Sequence, residues 1–191
     1  MPPGREIELA RSLLAGDRSA LDEFLGVFGQ KVFQYTWLMC GQREDAEEVA
    51  QDTLMKVFES LDQLKNPESV KGWVFRIAKN FCLMKRRRSV FAPERELSLD
   101  ELMPVSGVAP LAENDLLRSE LRGQLENALR QVPEMYRSVV LLRDVEELTT
   151  AESAQVLDVS EDVVKQRLHR GRLALRQILE AHSKYEHTSS T

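Results

Sequence analysis

Lys71, Arg76, Lys79, Lys85, Arg86, Arg87 and Arg88 fall within the stretch VKGWVFRIAKNFCLMKRRR, residues 70–88, interleaved with Trp73, Phe75 and Phe81 and with no acid among them. Cations at this density neutralise a phosphate backbone, and aromatic rings stack on unpaired bases at about 1–3 kcal/mol per base. A second basic stretch, VKQRLHRGRLALR, residues 164–176, offers Lys165, Gln166, Arg167, His169, Arg170, Arg172 and Arg176. Lysine and arginine pair with phosphates or guanine edges, and glutamine pairs with adenine, which is the chemistry of duplex reading. A bland solvated face is the competing account of this second stretch. His169 alone reads as a surface or phosphate-adjacent residue. A third constellation is acidic: from Glu44 to Asp62 seven acids face a single base, Lys56.

These side chains need helices to hold them. Apolar residues at Ala46, Val49, Ala50, Thr53, Leu54, Val57, Phe58 and Leu61 follow the spacing of one buried helix face. That leaves Glu47, Glu48, Gln51, Asp52, Met55 and Glu59 on the outer face. In the basic stretch, Trp73, Val74, Ile77, Ala78 and Phe81 form the inner stripe, while Arg76, Asn80, Leu83 and Arg87 share an outer one. Trp73 is therefore assigned to the core rather than to base stacking. Residues 7–15 predict a short helix stopped by Gly16, with Asp17 capping the next, which runs to about Met39.

Punctuation is clearest near the C-terminus. Pro133 suits a helix start, and TTAE from Thr149 to Glu152 is a capping box. A short helix over about 150–157 should end at Asp158, which tolerates the left-handed conformation, and Ser160 can cap a longer helix after it. Val163, Val164, Leu168, Leu173 and Leu175 are that helix's expected buried positions. Short helix, tight turn and long helix make a helix-turn-helix.

Composition sets the frame. The chain of 191 residues is 42% hydrophobic and 30% charged, with a net charge of −5, so its basic stretches are local fields in an acidic protein. Serines, acids and three prolines over residues 89–114 mark a linker. The expected architecture is all-α: residues 1–88 as one small helical domain, residues 115–181 as a second, and a polar tail over 182–191. No stretch has the apolar length of a membrane span and the N-terminus lacks a signal-peptide pattern, so a cytoplasmic protein without membrane insertion is expected. Cys40 and Cys82 lack metal spacing and read as small buried hydrophobes. No metal, cofactor or catalytic residue is expected: there is no glycine-rich phosphate loop, no metal cluster and no nucleophile–base constellation.

The residues from LRQVPEMYRSVV to LALRQIL resemble region 4 of the bacterial sigma-70 family, in its extracytoplasmic-function (ECF) group. The match runs through Pro133, Tyr136, Arg137, Glu147, Leu148, Val164, Lys165, Arg167, Leu168, Arg170 and Arg172. The stretch LLAGDRSALDEFLGVFGQKVF is similar to region 2.1, and DAEEVAQDTLMKVFESL to region 2.2. The resemblance implies an alternative sigma factor, with core RNA polymerase and promoter DNA as partners and an anti-sigma factor as a further one. It implies polymerase binding by Glu47, Glu48, Gln51, Asp52 and Met55. The −10 element would meet Asn66, Ser69, Lys71, Arg76, Lys79, Asn80, Arg86 and Arg87, with residues 65–72 at an extruded base. The −35 element would meet Ser160, Lys165, Gln166, Arg167, Arg170 and Arg172. Three positions depart from the family pattern: Ser153 for isoleucine, Asp158 for glycine, and Met84 for an aspartate. The alternative expectation is a stand-alone helix-turn-helix regulator with a sensing or dimerising first domain.

Overall fold

The computed structural model describes the backbone of residues 4–91 and 113–188, and every regular element among them is a helix. The first four long helices are α1 (Arg5–Leu14), α2 (Leu21–Cys40), α3 (Arg43–Glu59) and α4 (Val70–Phe91). Asp17 caps a short 3-10 turn, Arg18–Ala20, which leads into α2; a second such turn, Pro67–Ser69, leads into α4. The remaining helices are α5 (Glu113–Gln131), α6 (Glu134–Val140), α7 (Thr150–Leu157) and α8 (Glu161–Thr188). The linker expected over 89–114 lies mostly outside the described residues. At its edges, α4 continues to Phe91 and α5 begins at Glu113. Past Gly171 the sequence has no glycine or proline to stop α8, and the helix carries on to Thr188, beyond the expected boundary at 181.

In the first bundle, Phe24, Phe28, Val32, Tyr35 and Leu38 of α2 meet Val49 and Val57 of α3 and Val74, Phe75 and Ala78 of α4, all buried. Phe24 stacks on Phe28 with centroids 4.6 Å apart, and the edge of Tyr35 meets Phe75 at 5.4 Å. Two expectations of helical phase fail. Phe58, assigned to the inner face of α3, is 58% exposed, and Leu173, assigned to the core of α8, is 49% exposed. Each lies at the margin of its stripe, where drift of the apolar row carries a side chain past the edge of the covering helix.

The second bundle is held by α6, α7 and α8. The capping box forms as expected: the Thr149 hydroxyl accepts from the Glu152 amide, and the Glu152 carboxylate accepts from the Thr149 amide. Asp158 takes the left-handed conformation at φ 58°, and the Ser160 hydroxyl accepts from the Val163 amide at 3.3 Å. Gly171 lets α8 ride close on α6, since an added Cβ would come within 2.7 Å of Val140 Cγ2 and 3.1 Å of the Tyr136 carbonyl.

The two bundles close on each other. Buried Leu129, Val140, Leu141, Leu142, Leu148 and Val156 share one continuous core with the first bundle. Helix α7 rests on the start of α4 at Gly72, where Leu148, Glu152 and Val156 lie 3.5–3.9 Å from the position of a Cβ. Polar contacts frame this apolar seam. Lys31 on α2 meets Glu146, only 4% exposed, at 3.4 Å, and Glu6 at 3.3 Å. The Arg130 guanidinium lies 3.6 Å from the centre of the Trp37 ring, and Arg86 pairs with Glu134.

Candidate nucleic-acid and partner surfaces

Helix α3 presents its acids outward as the helical phase requires, since Ala46, Val49, Ala50, Thr53 and Val57 are buried against the bundle. Glu47, Glu48, Gln51, Asp52 and Met55 are all exposed. Glu47 is paired with Arg43 at 2.8 Å one turn earlier, and Glu48 with Lys85 of α4. Met55 at 63% exposure and Phe58 at 58% sit three residues apart on one surface, an apolar ridge beside the acids. Sequence periodicity counted Phe58 as core and missed its membership of this face. Its position three residues after Met55 was the available signal.

The basic stretch divides. On α4, Arg76, Asn80 and Arg87 are exposed, as is Leu83 in the same stripe, and Trp73 packs against the core as assigned. Of the other cations, Lys85 and Arg86 are engaged. Lys85 bridges Asp45 at 3.1 Å as well as Glu48, and these carboxylates hold its ammonium above its ordinary pKa, the Glu48 contact most strongly. Arg86 donates to the Met39 carbonyl at 3.1 Å in addition to its pairing with Glu134. Lys71 and Lys79 are half-buried, and the Arg88 side chain lies outside the described residues. In the turn before α4, the Asn66 carboxamide accepts from the Glu68 amide at 3.2 Å, and Ser69 donates to the Asn66 carbonyl at 2.7 Å. Both residues thus shape the turn in this conformation.

On α8, Lys165, Gln166 and Arg170 are exposed within three turns of the helix start. Arg170 reaches the Tyr136 hydroxyl at 3.3 Å, which ties the face to α6. Arg172 is held in a two-pronged pair with Asp144, one arm at 2.9 Å. Ser160 is exposed while serving as the cap. Arg167 is half-buried and lines a cleft of about 400 Å³ between the bundles, together with Lys79, Cys82, Leu83, Glu134 and Asp158. The closed arrangement therefore gathers Lys79, Arg86 and Arg167 at one seam and leaves Arg76, Asn80, Arg87, Lys165, Gln166 and Arg170 facing solvent.

Among the described residues no group of three or more histidine, cysteine, aspartate or glutamate side chains converges as metal ligands. Among the same residues, no helix is long and apolar enough to cross a membrane.

Comparison with known proteins places this geometry. The family model described as Sigma-70 region 2 matches residues 27–90, and that described as Sigma-70, region 4 matches residues 122–175. The chain is 27% identical over 172 residues to the ECF RNA polymerase sigma factor SigW of Bacillus subtilis, covering 86% of this chain and 91% of that protein. It is 33% identical to the ECF RNA polymerase sigma factor SigE of Mycolicibacterium smegmatis, covering 88% of this chain and 66% of the relative. The fold is similar to that of the sigma factor RpoE of Bartonella quintana, solved in complex with the anti-sigma factor NepR. The TM-score is 0.62 at 18% identity, over 84% of this chain and 96% of that one.

Proposed function

Because the chain belongs to the ECF group of the sigma-70 family, an alternative sigma factor directing promoter-specific transcription initiation, we propose a division of labour between its two helical units. The first unit, residues 1–88, grips core RNA polymerase through α3 and holds the −10 strand along α4. The second, residues 115–181, reads the −35 duplex with the start of α8. The observation that carries this reading is the exposure of Lys165, Gln166 and Arg170 on the second helix of a helix-turn-helix. This is where such motifs present side chains to the major groove.

On α3, the acids supply charge complementarity and orientation toward a basic polymerase surface, while Met55 and Phe58 supply apolar contact. On α4, Arg76 and Arg87 track the backbone of the opened strand and Asn80 lies between them. Lys71, Asn66 and Ser69 stand where a flipped base would enter. Met84 offers no carboxylate, so any contact the family makes through an acid at this position is missing here. The protein contributes binding and strand opening, and phosphodiester chemistry belongs to the polymerase. It acts in the cytoplasm, where promoter and polymerase are found.

The closed arrangement supports a resting state. Lys79, Arg86 and Arg167 point into the seam between units, so neither basic surface is complete until the units separate on polymerase. An anti-sigma factor, as recorded for the RpoE relative, would act by holding the same seam shut. The stand-alone regulator reading leaves α3 without a role and is set aside, since the relatives match across both units as sigma factors.

Run-off transcription with purified core polymerase tests the proposal. Lys165→Ala and Arg170→Ala should each lower initiation from a −35-dependent promoter several-fold while co-purification with core is unchanged. Loss of core binding in either variant, with the fold intact, would refute the assignment of this face to DNA.

A further inference from the structure

Cys40 closes the C-terminal end of α2, and Cys82 lies midway along α4 on the face turned toward it. Their sulfurs are 3.5 Å apart although the residues are 42 positions apart in sequence. Both are free thiols; Cys40 is half-buried and Cys82 is buried, lining the cleft between the units. Neither belongs to the surfaces assigned above to polymerase or DNA.

We propose that Cys40 and Cys82 form a peroxide-oxidisable thiol pair, with Cys40 as the attacking sulfur and Cys82 as the resolving one. Three observations converge on it. The separation of 3.5 Å needs to close only to roughly 2.0 Å for a bond to form, a movement that helix ends accommodate. The asymmetry of exposure makes Cys40 the more accessible of the two sulfurs to a small oxidant. The surroundings favour a thiolate at Cys40: the contact with the Cys82 thiol lowers its pKa, and Arg86 and Lys85 act in the same direction, against burial and Asp45. Arg86 is itself fixed by the carbonyl of Met39, the residue before Cys40, so the cation is held at the site.

The chemistry balances with a hydroperoxide as oxidant. The Cys40 thiolate attacks the terminal peroxide oxygen, the O–O bond breaks, and the departing alkoxide takes a proton to leave as alcohol, or as water from hydrogen peroxide. Cys40 is then a sulfenic acid. The Cys82 thiol loses its proton and its sulfur attacks that of Cys40. The S–O bond breaks, and hydroxide leaves with the proton as water. Two thiols have lost two electrons, and the peroxide has gained them. The product ties the end of α2 to α4 and closes a long loop in the first unit, which should raise its resistance to unfolding.

The experiment uses the reduced full-length chain treated with hydrogen peroxide, followed by peptide mapping without reductant. The expected result is a Cys40–Cys82 cross-linked peptide in monomeric protein, a higher melting temperature, and reversal of both by dithiothreitol. Cys82→Ser should stop at a sulfenic acid on Cys40 that dimedone captures, and Cys40→Ser should leave Cys82 unoxidised at the same peroxide dose. Circular dichroism of each variant establishes that it is folded. Two free thiols surviving excess peroxide in the folded wild type would overturn the proposal, as would cross-links formed only between molecules. Dimedone capture on Cys82 in place of Cys40 would overturn the assigned roles.

Discussion

Ser153 and Phe58 show how single side chains carry opposite messages at a surface and in a core. Ser153 is completely buried in α7, and its hydroxyl lacks a hydrogen-bond partner, where the family pattern has isoleucine. A buried hydroxyl without a partner costs about 1–3 kcal/mol of desolvation. Ser153→Ala should therefore stabilise the protein, by up to about 1 kcal/mol once the slight loss of packing is subtracted, read as a higher urea midpoint with unchanged slope. Phe58 is the reverse case, a large apolar group left in water beside Met55. Burying such a side chain is worth about 1.5–3 kcal/mol. Phe58→Ala should weaken core polymerase binding by roughly tenfold or more, measured by titration of labelled protein with core, while leaving the melting temperature nearly unchanged. A drop in melting temperature with unaltered core affinity would mean that Phe58 serves the fold instead.

At the scale of elements, the helix-turn-helix depends on how closely α8 can approach α6. Gly171 is buried at the crossing, and its absent side chain is what makes room for Val140 and the Tyr136 backbone. Alanine is favoured over glycine within a helix by up to about 1 kcal/mol, so propensity alone would have Gly171→Ala stabilise the protein. The contact of 2.7 Å decides otherwise, because overpacking against a neighbouring helix typically costs about 1–3 kcal/mol. The expected outcome is a lower unfolding temperature for Gly171→Ala together with weaker −35 binding, as α8 is pushed off its seat. Sequence inspection could not have shown this. A glycine inside a basic helical stretch looks like a gap in a charged face until the partner helix is known.

For the whole molecule, the proposed resting state rests on the seam between units. Glu146 is buried there, and burial pushes its carboxyl above the ordinary value of 4.5 despite the pull of Lys31. Because the folded value is raised, its contribution to stability is fully present below the ordinary value and lost as pH rises through the folded one. Wild type should therefore lose stability relative to Glu146→Gln as pH is raised from about 4.5 toward neutrality, followed by parallel denaturant titrations of both proteins. A difference between the two that does not change with pH would sink this account of the seam.

The helices, their caps and the division of charge were determined by local sequence, because 3.6-residue periodicity, a capping box and a left-handed Asp158 are properties of neighbours in the chain. The helix-turn-helix and the acidic face of α3 were legible for the same reason. Which cations remain exposed was not. Lys85 meets Asp45 and Glu48 of a different helix, Arg86 meets Glu134 of the other unit, and Arg167 turns into a cleft that exists only when the units pack. The Cys40–Cys82 approach belongs with them, since no spacing in the chain announces two sulfurs brought together by the crossing of α2 and α4. Pairing across long sequence separations is decided by which apolar faces bury each other. The charges and thiols at the edges of those faces then take whatever partners the packing supplies.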